Sequence, residues 1–194
     1  MVNFPPYLPS SEWMCYWLRD FVKSSNPGEA FSLANKSILS SRDFARTTIL
    51  DTNDHPLILS CAVEGGGRRL RDSRNLRSVI LSDHGNWRRI HPMAIEACYG
   101  RKPFYPYIAD GLTDIYRDLS ITGLEEFNVR LFDILSHFLL GRLDKARLNL
   151  FEEIEVLRNR GKEIAKEINP EISVLDPIMK FGPEAIFGIF ALYN

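Results

Sequence analysis

The chain has 194 residues, 45% of them hydrophobic, and 24 Lys and Arg against 25 Asp and Glu leave a net charge of -1. That length and apolar content predict one domain spanning residues 1–194 with a real core, and argue against disorder. The near-neutral balance excludes a whole-molecule attraction to nucleic acid or to an anionic membrane surface, so any such claim must rest on local clusters.

The start, "FPPYLPSSEWMCYWLRDFVKSS", sets three prolines in an extended lead before Ser10 or Ser11 caps a helix with Trp13, Met14, Trp17, Leu18 and Phe21 at helical spacing. This opening lacks the basic start and apolar run of a secretory signal. No later stretch reaches the roughly 18 uncharged residues of a membrane span. Cys15, Cys61 and Cys98 are far apart with no C-x-x-C spacing, which predicts reduced thiols in a cytoplasmic protein.

After "NPG", the piece "EAFSLAN" leans to β structure, and "ARTTILDTNDHPLILSCAV" reads as an antiparallel hairpin around an Asn-Asp-His turn. "EGGGRRLRDSRNL" is predicted to be a mobile surface loop before a short strand "RSVIL". Beyond residue 84 the chain turns helical. Asp83 or Asn86 caps a helix through Cys98 that stops at Gly100, and a second helix follows "RKPFYP" to about Asp118. A third carries the stripe Leu124, Phe127, Leu131, Ile134, Leu135 and Phe138, ending at Gly141. Residues 144–168 predict an exposed amphipathic helix, and the apolar tail after residue 172 predicts a docked segment ending in a short helix behind Gly182-Pro183. The expected architecture is α+β: a small mixed sheet from the first 81 residues with an N-terminal hairpin region, covered by helices, and a helical C-terminal half.

The middle is locally cationic. From Gly66 to Lys102 there are nine cationic residues against Asp72, Asp83 and Glu96. Arginines beside a Gly-rich loop can grip a phosphate or carboxylate with paired hydrogen bonds, and a helix start near Asn86 adds backbone donors. The competing reading is a solvated loop whose charges pair with the acidic helix after residue 144. "EGGG" lacks the ending of a phosphate-binding P-loop. His84 and His91, seven apart, are too distant along a helix to share a metal, so no metal site is predicted and no cofactor is named.

His91 is the acid/base candidate, since its neutral-range pKa suits proton transfer. Arg46, Trp87, Arg88, Arg89 and Tyr99 are the candidate binding residues for an anionic small molecule or a sugar-linked substrate. Replacing Arg88 and Arg89 with Gln is expected to weaken such a ligand and leave the melting temperature nearly unchanged. The aromatics Trp87, Tyr99, Phe104, Tyr105 and Tyr107 fit either a sugar-binding floor or the core.

Taken in order, four blocks resemble the WbqC-like family of bacterial proteins linked to polysaccharide and O-antigen gene clusters. They are "FPPYLPSSEWMCYWL", "RDFARTTILDTNDHPLILSCAV", "NWRRIHPMAIEACYGRKPFYPYIADGLTDIY" and "ISVLDPIMKFGPEAI". The resemblance implies a transferase that moves an acyl or aminoacyl group onto a sugar for surface polysaccharide. It carries over no catalytic residues. The chain departs from the family pattern at Ala62, where the family has Pro, and at Thr48, where it has the second of two arginines; "SLANKSILSSRDFAR" also lacks a histidine. These departures keep open a non-catalytic binding or assembly protein derived from the family. Oligomeric state is not set by the sequence.

Overall fold

Three prolines decide how the chain enters the fold. The computed structural model describes residues 2–23, 27–38, 40–72, 76–141 and 161–193, and residues 2–10 form an extended strap whose Pro5, Pro6 and Pro9 have no amide hydrogen to place in a ladder. Phe4, Tyr7 and Leu8 on this strap are nonetheless buried. Its carbonyls are therefore served by side chains: Asn35 Nδ2 donates to Val2 O and Phe4 O at 3.0 Å each, Asn128 Nδ2 to Pro5 O at 3.2 Å, Thr47 Oγ1 to Leu8 O at 2.8 Å and Ser173 Oγ to Leu8 O at 3.2 Å. Those bonds hold Leu8 at a φ of 41°, a left-handed conformation that costs a residue with a side chain about 1–2 kcal/mol. The consequence is positional, because Leu8 fixes the direction in which Tyr7 enters the core.

Helix α1 (Ser11–Lys23) starts behind Ser10, whose Oγ accepts from Trp13 N at 3.2 Å, the capping bond expected of a serine there. Trp13, Met14, Trp17 and Leu18 are buried on one side of it. Helix α2 (Pro27–Ile38) packs along α1. The expected β leaning of "EAFSLAN" is thus corrected to helix. Ala30 and Ala34, four apart and both fully buried, leave room for α1 to approach, and Phe31 stacks on Trp13 and Trp17.

The hairpin forms where expected, as β1 (Arg46–Leu50) and β2 (Pro56–Ser60) in antiparallel register from Arg46↔Ser60 to Leu50↔Pro56. The Asp51 carboxylate closes its turn by accepting from Asn53 N and His55 N at 2.7 and 2.9 Å. Among the described residues this two-stranded pair is the whole sheet. "RSVIL" forms only isolated bridges, Val63↔Leu81 and Ile80↔Gly123, outside this pair, and begins inside a 3₁₀ turn over Leu76–Ser78. The Gly-rich segment expected to be a loop is a short helix, α3 (Gly66–Asp72), pinned by buried Leu70.

Helices α4 (Trp87–Tyr99), α5 (Pro106–Arg117) and α6 (Leu124–Leu140) follow the expected boundaries. On α6 the predicted stripe lies inward, with Phe132 meeting Trp17 edge-on at 4.8 Å. The expectation for residues 144–168 falls largely outside the described residues, which resume in a helical stretch at 161–166. The tail docks as α7 (Leu175–Phe181) and α8 (Ala185–Ala191). A Cβ at Gly161 would lie 2.1 Å from Phe187 O and one at Gly188 2.4 Å from the Ile164 side chain, so this helix crossing depends on both glycines. The architecture is α+β with a helical C-terminal half, and one cluster of buried residues runs from Phe4 to Ile189.

Candidate functional site

Gly85 and Asn86 set the start of α4, both with left-handed backbone, at φ 77° and 53°. Asparagine and glycine tolerate that conformation best, and the turn they make rolls Trp87 inward. Trp87 is buried, donates Nε1–H to Ser82 O at 2.6 Å, and meets Phe127 of α6 edge-on at 5.3 Å. One turn later His91 is 5% exposed and faces the same interior.

There it meets the strap. Tyr7 Oη lies 2.8 Å from His91 Nδ1 and 2.5 Å from Tyr116 Oη of α5, with the buried Cys61 thiol at the end of the hairpin close enough to interact with it. Burial is the main cause of every shift in this group. It lowers the His91 imidazole to about 4 and raises Tyr7, Tyr116 and Cys61 well above their ordinary values. At neutral pH the four groups are uncharged. With the imidazole proton on Nε2, Nδ1 accepts from Tyr7, and the Tyr7 oxygen accepts in turn from Tyr116. A proton passed along this chain to Nδ1 makes the ring an imidazolium, which burial disfavours, so the ring holds it only transiently. The group does not supply a ready thiolate, because the thiol is held protonated.

Tyr116 forms part of the wall of a groove of about 800 Å³ between α4 and α5. Arg89, Met93 and Glu96 line it from α4; Asp110, Thr113 and Arg117 line it from α5, with Tyr105 at one end. Pro92 also faces the groove and, lacking an amide hydrogen, leaves the Arg88 carbonyl without its helical donor. Carboxylates, a hydroxyl and guanidinium groups beside a tyrosine and a methionine suit a polyhydroxylated ligand with some negative charge.

Arg88 borders this groove, but its guanidinium is committed to the fold. It donates to Ile121 O at 2.5 Å and to Asp118 O at 3.4 Å, pairs with Asp83 at 3.2 Å, and lies 4.9 Å over the Trp87 ring. Its side chain is only 10% exposed. The expectation that an Arg88/Arg89 double variant leaves stability unchanged is therefore withdrawn for Arg88 and kept as an expectation for the exposed Arg89. Arg88→Gln is expected to cost about 2 kcal/mol and to lower the melting temperature by roughly 4–8 °C, read by thermal denaturation, with Arg89→Gln within a degree of the parent.

The other two candidates lie apart from the groove. Tyr99 is buried, and its hydroxyl accepts from Leu50 N at 3.2 Å, tying the end of α4 to β1. Arg46 is exposed on a second cleft of about 910 Å³ between the open end of the hairpin and α3. The structure thus gathers Trp87, Arg88 and His91 with the groove residue Arg89, and sends Arg46 and Tyr99 elsewhere. Sequence reasoning missed Tyr7, Cys61 and Tyr116. Tyr7 and Tyr116 are 109 residues apart, and the one local signal was a phenol set among prolines in a strap that had to be buried. Among the described residues no group of three or more His, Cys, Asp or Glu could hold a metal ion, and no helix is long and apolar enough to cross a membrane.

Residues 19–169 match the family model of the WbqC-like protein family. No curated protein and no solved structure matches the chain.

Proposed function

The chain belongs to the WbqC-like protein family, and from that membership we propose a transferase, built as one domain over residues 1–194, that moves an acyl or aminoacyl group onto a sugar in surface polysaccharide synthesis. The observation that carries the proposal is the hydrogen-bonded set His91–Tyr7–Tyr116 beside the α4–α5 groove. The sugar acceptor lies in that groove. Glu96 and Asp110 take its hydroxyls, and Arg89 and Arg117 take its negative charge. When a sugar hydroxyl or amine attacks the acyl carbon, its proton passes through Tyr116 and Tyr7 to His91 Nδ1, and the imidazolium so formed returns that proton along the same path to the donor's leaving group as the bond between acyl carbon and leaving group breaks. The free thiols Cys15, Cys61 and Cys98 fit a cytoplasmic setting.

The test incubates the protein with acyl and aminoacyl donors and amino or neutral sugar acceptors, and reads acceptor mass. The wild type should acylate an acceptor, and Tyr7→Phe should lower kcat about 100-fold with an unchanged circular dichroism spectrum, within the range of acid/base contributions. Arg89→Gln should raise KM instead. Product no greater than the protein-free control across the panel would discard the transferase reading. Two observations favour the rival, a non-catalytic binding or assembly protein: His91 is buried, and Arg46 lies on another cleft. That rival expects acceptor sugars to bind with no product formed.

A further inference from the structure

The second cleft carries charge that the proposed transfer does not use. Arg42 and Arg46 stand on its hairpin rim, Arg68 and Arg71 on its α3 rim, and His84 closes one end; Glu64 is its one carboxylate. None of these four arginines forms an ion pair with another described residue. Gathering four like charges around one concavity costs repulsion that a bound anion would relieve.

The rims are held in place by local chemistry. Gly65 and Gly66 have φ of 75° and 63°, and a Cβ at Gly65 would lie 3.1 Å from Arg69 Cβ, so the turn requires glycine there. It leads directly into α3, where buried Leu70 anchors the helix and leaves Arg68 and Arg71, three apart, on the cleft. The opposite rim is set by β1, whose Arg46 pairs with Ser60.

We propose that this cleft binds a diphosphate group, with Arg42 and Arg46 gripping one phosphoryl unit and Arg68 and Arg71 the other. Guanidinium pairs match phosphoryl oxygens in geometry as well as charge. Two rims with two arginines each call for two linked phosphates, and four cations facing one carboxylate match the two to three negative charges such a group carries near neutral pH. The proposal does not depend on the transfer chemistry assigned to the α4–α5 groove.

Isothermal titration at low salt tests it with three probes: inorganic phosphate, inorganic pyrophosphate and uridine diphosphate. Pyrophosphate should bind at least about tenfold more tightly than phosphate. Arg68→Gln/Arg71→Gln and Arg42→Gln/Arg46→Gln should each weaken it about tenfold to a hundredfold, with Arg101→Gln, an exposed arginine outside both clefts, unchanged. Tighter binding of uridine diphosphate than of pyrophosphate would identify a nucleotide carrier; equal or weaker binding would identify the diphosphate alone, as on a lipid carrier. Both results support the site. No binding of pyrophosphate or uridine diphosphate at millimolar concentration, equal affinity for phosphate and pyrophosphate, or undiminished binding in the rim variants would overturn it.

Discussion

Cutting the chain after Glu171 is expected to leave a protein that aggregates instead of refolding. The missing segment contributes Val174, Leu175, Ile178 and Met179, all fully buried, with Ala185 and Ile189 behind them. Each large apolar side chain taken from water contributes about 1.5–3 kcal/mol. Together the four approach the whole stability of an ordinary domain, about 5–15 kcal/mol. The cut also removes backbone bonds that seat the strap and the sheet edge: Val174 N to Pro9 O, Ser173 N to Thr48 O, and Ser11 N to Ile172 O, each 2.8 Å. Leu8 would lose one of the two donors on its carbonyl, and its left-handed backbone would be less firmly held. Size-exclusion chromatography and chemical denaturation of the truncated chain measure the effect. A soluble truncation with a cooperative transition would show that the tail is an accessory to the core.

Lowering the pH from 7 to 4 is expected to remove up to about 3 kcal/mol of stability through His91 alone. Its folded-state value of about 4 lies below the ordinary histidine value near 6.5. Between those limits the unfolded chain binds the proton and the folded chain does not, so stability rises with pH through the window and is fully present above about 6.5. The phenols and the thiol around the imidazole do not titrate there, since Tyr7, Tyr116 and Cys61 are raised by burial. Carboxylates elsewhere contribute with both signs: Asp118 is lowered by its bonds from Ser120, and Asp176 is raised by burial. The His91 share is therefore read as a difference. Urea unfolding of the wild type and of His91→Gln should give curves that separate at pH 7 and converge toward pH 4. Parallel curves would contradict the assignment.

How far the sequence led depends on where each signal lay. Helices α4, α5 and α6 were readable because local punctuation, such as the Gly141 stop, agreed with an apolar stripe that tertiary packing then used. Helix α2 was misread because its helical signal is a pair of alanines, Ala30 and Ala34, whose meaning appears only against the tryptophans of α1. "RSVIL" has strand composition but pairs through single bridges, with Leu81 N donating to Thr122 O and Leu124 N to Val79 O. For the site, His91 was visible as a titratable group on the right helix. Its partners were not, since the strap, the hairpin and α5 bring Tyr7, Cys61 and Tyr116 to it from across the chain. Arg88 shows the reverse case: a cationic residue beside a tryptophan reads as a ligand site, but it spends its donors on the carbonyls of Ile121 and Asp118.

The account depends on His91 being a neutral imidazole whose Nδ1 accepts from Tyr7. Nitrogen-15 spectra of histidine-labelled protein measure this directly. His91 should keep the shifts of a neutral ring from pH 8 down to about 5, with Nε2 protonated and Nδ1 an acceptor, and Tyr7→Phe should move the Nδ1 resonance. An imidazole that titrates near 6.5, or an Nδ1 shift indifferent to the loss of the Tyr7 hydroxyl, would contradict it.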